Sequence, residues 1–357
     1  MKLLIVTQAV DTEDTTLGFF VRWIEEFAAH AEHLEVICLR EGKHASLPAN
    51  VRVHSLGKEG SLQSTPRFAR RLRYAIRFKR LAWQLRHEYD AVFVHMNPEY
   101  VVIGGPLWRL LGKRIGLWYV HKSVDLKLRI AAFFAHDIFT ASREGFRLAT
   151  TKLHVVGHGI DTALFRAPIR PLGTPVRIVS VGRITPIKNL ATLIEAVGIL
   201  KEKGIEATAT FVGVPVQPAD HAYEESLRML AIHLGITDRI FFAGGVPHAQ
   251  LPELYRTFDI SVNLSPTGGL DKAVLESMAA GLLTFVSNQG FGELLGPHAG
   301  ALVFREKNAA ACADKMALFV HTAEDALRVR ADLQQRVETM SVSALIPRIL
   351  SFYATSR

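Results

Sequence analysis

The feature of this sequence that most constrains its fold is a regular alternation of short apolar segments with longer segments of helical period. Residues 2–8, 34–40 and 91–95 are apolar runs typical of buried parallel strands, and residues 19–30 have the apolar spacing of a helix. The alternation resumes after residues 166–176, where three prolines and a glycine are typical of a linker. The pattern predicts an α/β protein with two Rossmann-like domains, each built on a doubly wound parallel sheet.

The linker predicts a first domain of residues 1–168, a second of residues 169–340 and a C-terminal segment of residues 341–357. The last segment has a helical pattern that we expect to be interrupted at Pro347. Ligands of open α/β sheets bind outside the carboxyl ends of the strands, so we expect the ligand in a cleft that the two domains face.

Composition excludes several classes of protein. An apolar content of 49% with 21% charged residues is ordinary for a globular chain, and no apolar run reaches the ~18–20 residues that span a bilayer. Residues 1–5 do not have the pattern of a signal peptide, and Cys38 and Cys312 have no metal-binding or disulfide spacing. We therefore expect reduced thiols and a cytoplasmic protein. The net charge of +8 favours an anionic partner: nucleic acid, a membrane surface or a phosphorylated ligand.

Residues 266–287 form a glycine-bearing loop, a helix from about residue 272 to 280, a stop at Gly281 and an apolar strand. A loop that leads into a helix N-terminus offers free N–H groups to an anion, usually phosphate. Gly269 allows a close approach to the backbone, and Asp271 lies where an N-cap or an acceptor for sugar hydroxyls belongs. Glu276, one turn into the helix, is suited to a ribose diol. The segment predicts a nucleotide-diphosphate site.

Two cations stand at an earlier strand–helix junction of the second domain. Arg183 follows a predicted strand, and Lys188 precedes a predicted helix of residues 190–203. An arginine fork and a lysine point charge five residues apart can clamp a diphosphate. The alternative for either residue alone is a solvated surface cation.

The motifs VGRITPIKN, FAGGVPHAQLPELYRTFDI and SPTGGLDKAVLESMAAG, with VVGHGIDTALF before the linker, resemble those of retaining glycosyltransferases of the GT-B fold, family 4. The resemblance covers nearly the whole chain and is most specific over residues 181–287. It implies transfer of a sugar from a UDP- or GDP-sugar to an acceptor hydroxyl, with retention. It also implies an acceptor-binding first domain, a nucleotide-sugar-binding second domain and a C-terminal helix that returns to the first.

The resemblance assigns roles to residues of the second domain. Arg183 and Lys188 match the pair that holds the donor diphosphate and stabilises the leaving group. Glu276 matches the second glutamate of the family's E-x7-E motif, which binds the donor ribose. The loop around the donor sugar and β-phosphate matches the backbone of four consecutive residues, Gly269, Leu270, Asp271 and Lys272.

The sequence departs from the family's motif at one position, because Gly268 stands where the first glutamate belongs. We expect Asp271, three residues later, to take part of that glutamate's role in sugar recognition. The alternative is that Asp271 is a plain helix N-cap. The departure bears on the identity of the donor sugar more than on the reaction class.

In the first domain, Gly18 matches the glycine of the family's first loop, beside phosphate and acceptor, although Phe19 follows where a second glycine is common. His121, just past a strand, matches the histidine that faces the sugar near the reacting carbon. The alternative is a structural histidine at a strand end. The resemblance thus makes His121 a catalytic candidate, and the acceptor-side candidates are polar residues near strand ends: His95, Asn97, Ser142 and Arg143.

No D-x-D metal motif occurs, and the nearest form is Asp11-Thr12-Glu13. Arg183, Lys188 and a helix dipole can neutralise the developing diphosphate charge in place of a metal. The resemblance likewise implies no required metal or other cofactor. Front-side attack assisted by the leaving phosphate is an expectation that rests on the family.

Residues 67–86 hold eight cations and no acid. On a helical wheel one basic stripe, Arg70, Arg73, Arg77 and Arg80, lies opposite the apolar residues Phe68, Leu72, Ala75, Ile76, Ala82 and Trp83. Such a helix suits an anionic membrane surface, and the alternative is a sheet-covering helix with a solvated basic face. Nucleic acid is not expected, because no binding module or stacking platform is recognised.

The sequence therefore predicts a cytoplasmic, metal-independent glycosyltransferase, peripheral at the inner face of the membrane, with a lipid-linked or envelope glycan as acceptor. One alternative is another GT-B enzyme that acts on a soluble acceptor. A second alternative, from a different class, is a membrane-surface binding protein with a degenerate nucleotide site. Gly268 favours that second alternative, and Arg183, Lys188 and Glu276 argue against it.

Overall fold

The computed structural model describes residues 1–14, 17–44, 47–60 and 66–354, and within them two compact units. The first unit is Met1–Gly159 together with the chain from Val342 onward, and the second is Ile160–Ser341. The units divide at Gly159, before the predicted linker, because the following residues bond within the second unit. Ile160 N donates to Met340 O at 3.0 Å, and Thr162 Oγ1 donates to Glu338 Oε2 at 2.7 Å.

The first unit is built on a seven-stranded parallel sheet in the order β3-β2-β1-β4-β5-β6-β7. Its strands are β1 Lys2–Val10, β2 His33–Glu41, β3 Val51–Ser55, β4 Ala91–His95, β5 Arg114–Trp118, β6 Asp137–Thr140 and β7 Leu153–Val155. The helices are α1 Phe20–His30, α2 Arg67–Gln84, α3 Pro98–Leu110 and α4 Leu126–Phe134. Side chains of β1 alternate between the two faces, so Leu3 and Ile5 join one core and Leu4 and Val6 the other.

The second unit has a five-stranded parallel sheet in the order β10-β9-β8-β11-β12. Its strands are β8 Val176–Val181, β9 Ala207–Val212, β10 Ile240–Gly244, β11 Ile260–Asn263 and β12 Leu283–Val286. Its helices are α5 Thr162–Phe165, α6 Ala191–Glu202, α7 Pro218–His233, α8 Leu251–Tyr255, α9 Lys272–Ala279, α10 Gly292–Leu295, α11 Ala299–Leu302, α12 Ala309–His321 and α13 Ala323–Arg336. The prediction of two doubly wound parallel sheets is confirmed.

Some helix bounds differ from the sequence prediction. The helical spacing of residues 222–234 predicts a helix there, but α7 begins at Pro218, because Asp220 Oδ2 accepts from Gln217 N at 2.9 Å and Val216 N at 3.2 Å in a capping box. The C-terminal helix α14, Val342–Ala354, continues through Pro347 instead of being interrupted there.

The apolar face of α14 packs against α1 in the first unit. Val342, Leu345 and Ile349 are buried in the same core as Trp23 of α1. Trp23 Nε1 donates to Gly159 O at 2.9 Å, and Tyr353 Oη donates to Val92 O at 2.9 Å. A Cβ at Gly159 would lie 2.7 Å from Leu345 Cδ2, so this close approach requires glycine.

In each sheet the chain reverses its direction of winding at one central strand. β1 pairs with β2 on one side and β4 on the other, and β8 pairs with β9 and β11. Such a reversal leaves a crevice outside the carboxyl ends of the strands, where ligands of α/β sheets bind. In the second unit, the predicted site residues Arg183, Lys188 and Asp271 follow β8 and β11.

Both cysteines are buried and unpaired thiols. Burial raises the pKa of Cys38 and of Cys312 to about 12, so both thiols stay protonated at neutral pH. Among the residues that the structure describes, none of the helices combines the length and hydropathy that a bilayer-spanning segment needs.

Leu345→Ala is expected to destabilise the first unit by about 2–5 kcal/mol, because the side chain is fully buried between α14 and α1. All four tryptophans, Trp23, Trp83, Trp108 and Trp118, lie in the first unit. Urea unfolding followed by tryptophan fluorescence therefore reports on this unit alone. The matched control is Leu110→Ala, whose side chain is exposed and whose effect should stay within about 0.5 kcal/mol. Equal effects of the two substitutions would contradict the packing of α14.

Candidate nucleotide-sugar site

The carboxyl ends of β8 and β11 lie side by side at the reversal point of the second sheet. Arg183 follows β8, and Lys188 ends a single 3₁₀ turn, Pro186–Lys188, before α6. The loop after β11 passes through Ser265 to Asp271, directly before α9. The parallel pairing of the two strands thus brings together two loops that are far apart in sequence.

A polar cluster joins these two loops, and we call Lys188, Asn263, Ser265 and Asp271 the lysine–aspartate cluster. Lys188 Nζ donates to Asp271 Oδ2 at 2.6 Å and to Ser265 Oγ at 2.9 Å. Asp271 Oδ2 also accepts from Ser265 Oγ at 2.6 Å and Asn263 Nδ2 at 3.0 Å. Burial alone would raise the pKa of Asp271, but the Lys188 charge and these hydrogen bonds lower it overall, so the carboxylate is ionised.

Asp271 does occupy the residue before the first turn of α9, with extended backbone, but its side chain makes no capping hydrogen bond to the helix. The plain N-cap alternative is therefore wrong: the carboxylate is turned toward Lys188. An ammonium has three N–H donors, and Lys188 uses two of them within the cluster, which leaves one for a ligand.

Two glycines follow the ends of β8 and β9 next to the cluster. Gly182 has φ +149°, and a Cβ there would lie 3.7 Å from Lys188 Cε. A Cβ at Gly213, which has φ +150°, would lie 1.9 Å from Gly182 O, so no other residue fits. A small cavity of about 10 Å³, enough for one water, lies among Gly182, Arg183, Lys188 and Asn263.

Arg183 is exposed beside this cluster. Within the described part of the chain its guanidinium makes no hydrogen bond and no ion pair. Its charge acts on Asp220, whose pKa is lowered first by the Gln217 N–H and the Thr185 hydroxyl and, to a smaller extent, by Arg183. The fork of Arg183 is therefore available to an anion.

Glu276 lies on α9 and is almost fully buried. Its Oε1 is 3.0 Å from His248 Nε2, and the His248 ring packs edge-on against Phe165 with centroids 5.6 Å apart. Burial also lowers the pKa of Lys272, one turn earlier, to about 7, an effect that the Glu276 charge partly opposes. His248 was not predicted as a site residue, although it stands within the FAGGVPHAQ motif.

The loop around Gly268 and Gly269 is held by Asn288, which is fully buried. Asn288 Oδ1 accepts from Gly268 N at 3.3 Å and Gly290 N at 2.9 Å, and Asn288 Nδ2 donates to Gly269 O at 3.0 Å. A Cβ at Gly269 would meet no atom within 4 Å, so open space lies next to this backbone. Leu270, the next residue, packs against the core of the second unit. Asn288 carried no sequence signal because its hydrogen bonds to Gly268 and Gly269 span 20 and 19 residues of the chain.

In the first unit, Gly18 closes the loop after β1. Gly18 N donates to Asp14 O at 2.9 Å, and a Cβ would lie 2.7 Å from that same oxygen. Asp11 accepts from Glu13 N at 3.0 Å and pairs with Arg40 at 3.2 Å, so the nearest approach to a D-x-D motif is used to fold this loop. Within the described residues, no group of three metal-ligating side chains is assembled.

His121 and the acceptor-side candidates lie at or after the ends of three neighbouring strands, β4, β5 and β6. His95 is buried and stacked on Phe20 with centroids 4.0 Å apart, and Asn97 Nδ2 donates to His95 O at 3.2 Å. His121 is exposed three residues past β5, with its ring edge-on to Tyr119.

After β6, Ser142 accepts from Gly145 N at 3.2 Å and starts a short turn, and Arg143 is exposed. His121 and Arg143 are therefore open to solvent, whereas His95 and Ser142 have structural contacts of their own. These residues do not form one hydrogen-bonded cluster.

The basic helix α2 ends at Gln84, two residues before the predicted end, and buries Phe78 and Ala82. Phe68, Leu72, Ile76 and Trp83 are each at least half exposed, so the predicted apolar face does not cover the sheet. The four arginines of the predicted stripe also differ in environment: Arg77 Nη1 donates to Leu56 O at 3.3 Å, and Arg70 faces a different cavity from Arg73, Arg77 and Arg80.

Comparison with known proteins identifies the family of the second unit. Residues 161–336 match the sequence profile of the family described as glycosyl transferases group 1. A D-inositol 3-phosphate glycosyltransferase of Acidothermus cellulolyticus is 31% identical, over 36% of this chain and 32% of that protein. A lipopolysaccharide core biosynthesis mannosyltransferase, LpcC, of Rhizobium leguminosarum is 30% identical over 44% of this chain and 46% of that protein. The chain thus spans about half or less of the length of these curated relatives.

Solved structures match over the whole chain at low identity. HepE of Anabaena in complex with UDP has a TM-score of 0.74 at 16% identity, over 99% of this chain and 100% of that one. The sucrose-phosphate synthase of Thermosynechococcus elongatus has a TM-score of 0.74 at 16% identity, over 99% and 98%. At such identity these likenesses establish the fold. Residues 161–336 therefore belong to the glycosyl transferases group 1 family, and the chain has the GT-B fold.

Proposed function

We propose that this protein is a retaining glycosyltransferase that moves a sugar from a UDP- or GDP-sugar to an acceptor hydroxyl without a metal ion. The observation that carries the proposal is the convergence of Arg183, Lys188 and the N-terminus of α9 at the carboxyl ends of β8 and β11. These groups make a concentration of positive charge beside open backbone at Gly269. Such an arrangement suits a diphosphate.

In this mechanism the protein stabilises the diphosphate as the bond to the sugar breaks. Asp271 neutralises much of the Lys188 charge and holds its Nζ in place, so Lys188 acts as an oriented donor. Arg183 supplies the net positive charge, and the α9 dipole adds about half an elementary charge. Together they take the role that a divalent cation has in other transferases.

Glu276 is proposed to accept hydrogen bonds from the ribose hydroxyls of the donor. His248 fixes one of its carboxylate oxygens at 3.0 Å, which orients the side chain and leaves the other oxygen for the ligand. The backbone of Gly269, Leu270, Asp271 and Lys272 is proposed to surround the donor sugar. His121 and the Gly18 loop are proposed to face the reacting carbon. The family resemblance also leads us to propose that the acceptor hydroxyl attacks from the front side of the sugar, with assistance from the leaving phosphate.

Relatives support an envelope or lipid-linked acceptor. The Rhizobium relative is a mannosyltransferase of the lipopolysaccharide core, and a 30% identical protein of Mycobacterium tuberculosis is a GDP-mannose-dependent phosphatidylinositol monomannoside mannosyltransferase. We propose acceptor binding by the first unit, near Asn97, His95, Ser142 and Arg143, and a cytoplasmic protein at the inner face of a membrane.

The surface of α2 supports the membrane part of the proposal. Residues 67–86 carry eight cations and no acid. Their charge of +8 equals the net charge of the whole chain, so the remaining residues together have a formal net charge of zero. Phe68, Leu72, Ile76 and Trp83 form an exposed apolar stripe on the same helix. Apolar side chains flanked by cations are what an interfacial helix presents to anionic lipid.

Arg183→Ala is expected to lower kcat/KM by about 10²–10³, because it removes a cation that stabilises the leaving diphosphate. Lys188→Ala should have an effect of similar size. The assay is release of UDP or GDP from a panel of nucleotide sugars, with water or octyl glycosides as acceptor, and proton NMR of the product anomer tests retention.

Lys201→Ala is the matched control for these variants, since Lys201 is exposed on α6 away from the cluster. Arg183 is also exposed, so its replacement should leave the melting temperature unchanged. A loss of activity in Arg183→Ala would then reflect the catalytic step and not the stability of the fold. Near-normal turnover in both site variants would overturn the assignment.

Leu72→Glu/Ile76→Glu is expected to weaken binding to phosphatidylglycerol-containing vesicles by about tenfold or more, since each buried side chain contributes about 1.5–3 kcal/mol. Co-sedimentation measures the bound fraction. The control is Met229→Glu/Ile232→Glu, an equally exposed apolar pair on α7. Vesicle binding that both variants reduce equally, or that neither reduces, would refute a membrane contact through α2.

A further inference from the structure

The first unit contains a cavity of about 910 Å³ between α2, α3 and the carboxyl ends of β1 and β2. Gln8 of β1, Leu39 of β2 and Asn97 before α3 line this cavity together with Tyr74 of α2 and Ile103 of α3. Leu39, Tyr74 and Ile103 are half-buried and leave apolar surface in the cavity, and the buried Phe78–Tyr100 pair, with ring centroids 5.1 Å apart, also borders it. The volume is that of a typical small-molecule site.

Cations outnumber acids around this cavity. Lys58, Arg70, Arg71 and Lys127 line it with only two carboxylates, Glu59 and Glu99. Both acids already have partners. Lys127 Nζ binds Glu99 Oε1 at 2.7 Å, and Glu59 accepts from Ser55 Oγ at 2.6 Å and Glu41 N at 3.3 Å.

Three of the four cations keep their charge available. In the ranges that the structure describes, the side chains of Lys58, Arg70 and Arg71 make no hydrogen bond and no ion pair. The pKa of Lys127 is raised chiefly by its hydrogen bond to Glu99, while the charge of Arg71 opposes that rise, which places Arg71 within electrostatic range of Lys127. Like charges held together at a cavity wall repel one another, and a bound anion would relieve that repulsion.

We propose that this cavity binds a phosphate group carried by the acceptor, with the body of the acceptor against the half-buried side chains of Leu39, Tyr74 and Ile103. The proposal rests on the function proposed above and specifies its acceptor as a phosphorylated one. Arg70 and Arg71 offer planar forks that match phosphate oxygens, and Lys58 adds a point charge. Asn97, an acceptor-side candidate, lines the same cavity, so the anion would lie near the strand ends where transfer is proposed.

The test is calorimetric titration of the full chain with octyl phosphate and, as the uncharged counterpart, octanol, in the presence of saturating UDP or GDP to fill the donor site. Octyl phosphate is expected to bind at least tenfold more tightly than octanol. Arg70→Gln/Arg71→Gln should weaken octyl phosphate binding at least tenfold. Arg67→Gln/Lys79→Gln, which removes two charges from exposed positions of the same helix, should change it less than twofold.

Several outcomes would overturn the proposal. Equal weakening by the two double variants would show general attraction to a basic helix, and equal binding of octanol would show an apolar site. If Arg183→Ala, and not Arg70→Gln/Arg71→Gln, abolished octyl phosphate binding, the anion would lie at the donor site. Melting temperatures of the variants check that exposed Arg71 and half-buried Arg70 can be replaced without unfolding.

Further measurements distinguish a soluble from a lipid-borne phosphate, and the proposed anion site from the proposed transferase function. Competition by glucose 6-phosphate supports a soluble phosphorylated acceptor, whereas competition only by vesicles of phosphatidylglycerol supports a lipid-borne phosphate. If neither UDP nor GDP binds but octyl phosphate binding still requires Arg70 and Arg71, the anion site stands and the transferase function fails. If the nucleotide binds and octyl phosphate does not, the anion site fails alone.

Discussion

The ion pair between Lys188 and Asp271 is the interaction on which the rest of the site depends. Its 2.6 Å contact ties the loop after β8 to the loop after β11, which are 83 residues apart in sequence. Ser265 and Asn263 satisfy the same carboxylate oxygen, so Asp271 remains ionised despite its burial. Breaking the pair would leave a partly buried charge without its partner, which is more costly than losing an exposed pair. The parallel sheet makes the pair possible, because it places the ends of β8 and β11 side by side.

The two units use charge in different ways. In the second unit, the lysine–aspartate cluster is close to neutral, and positive charge is left to Arg183 and to the N-terminus of α9. In the first unit, the excess charge of the chain is concentrated on residues 67–86, where one part lines a cavity and another flanks exposed apolar side chains. A nucleotide, a phosphorylated acceptor and an anionic surface are all anionic, so the charge distribution is consistent with each proposed partner of the chain.

Much of the fold could be predicted from the sequence, because apolar runs and helical spacing report directly on parallel strands and the helices that cover them. Motif spacing also brought Arg183, Lys188 and Asp271 into one hypothesis. The partner of the Asp271 side chain could not be predicted, because it depends on how two loops meet in space. His248 and Asn288 were missed for the same reason: each acts on a residue 20 or more positions away. The sequence left open which side of α2 faces the sheet, and the structure buries Phe78 and Ala82 and leaves the larger apolar side chains of the helix exposed.

The central claim is that the second unit holds a nucleoside diphosphate through these loops without a metal ion. Calorimetric titration with UDP and GDP, each with and without EDTA, and with the 2′-deoxy form of the nucleotide that binds, tests it most directly. The account predicts that one nucleotide binds equally well with EDTA present. It also predicts that the 2′-deoxy form binds about tenfold more weakly to the wild type and with no such penalty to Glu276→Gln. Absence of binding by both nucleotides, or binding abolished by EDTA, would contradict the account.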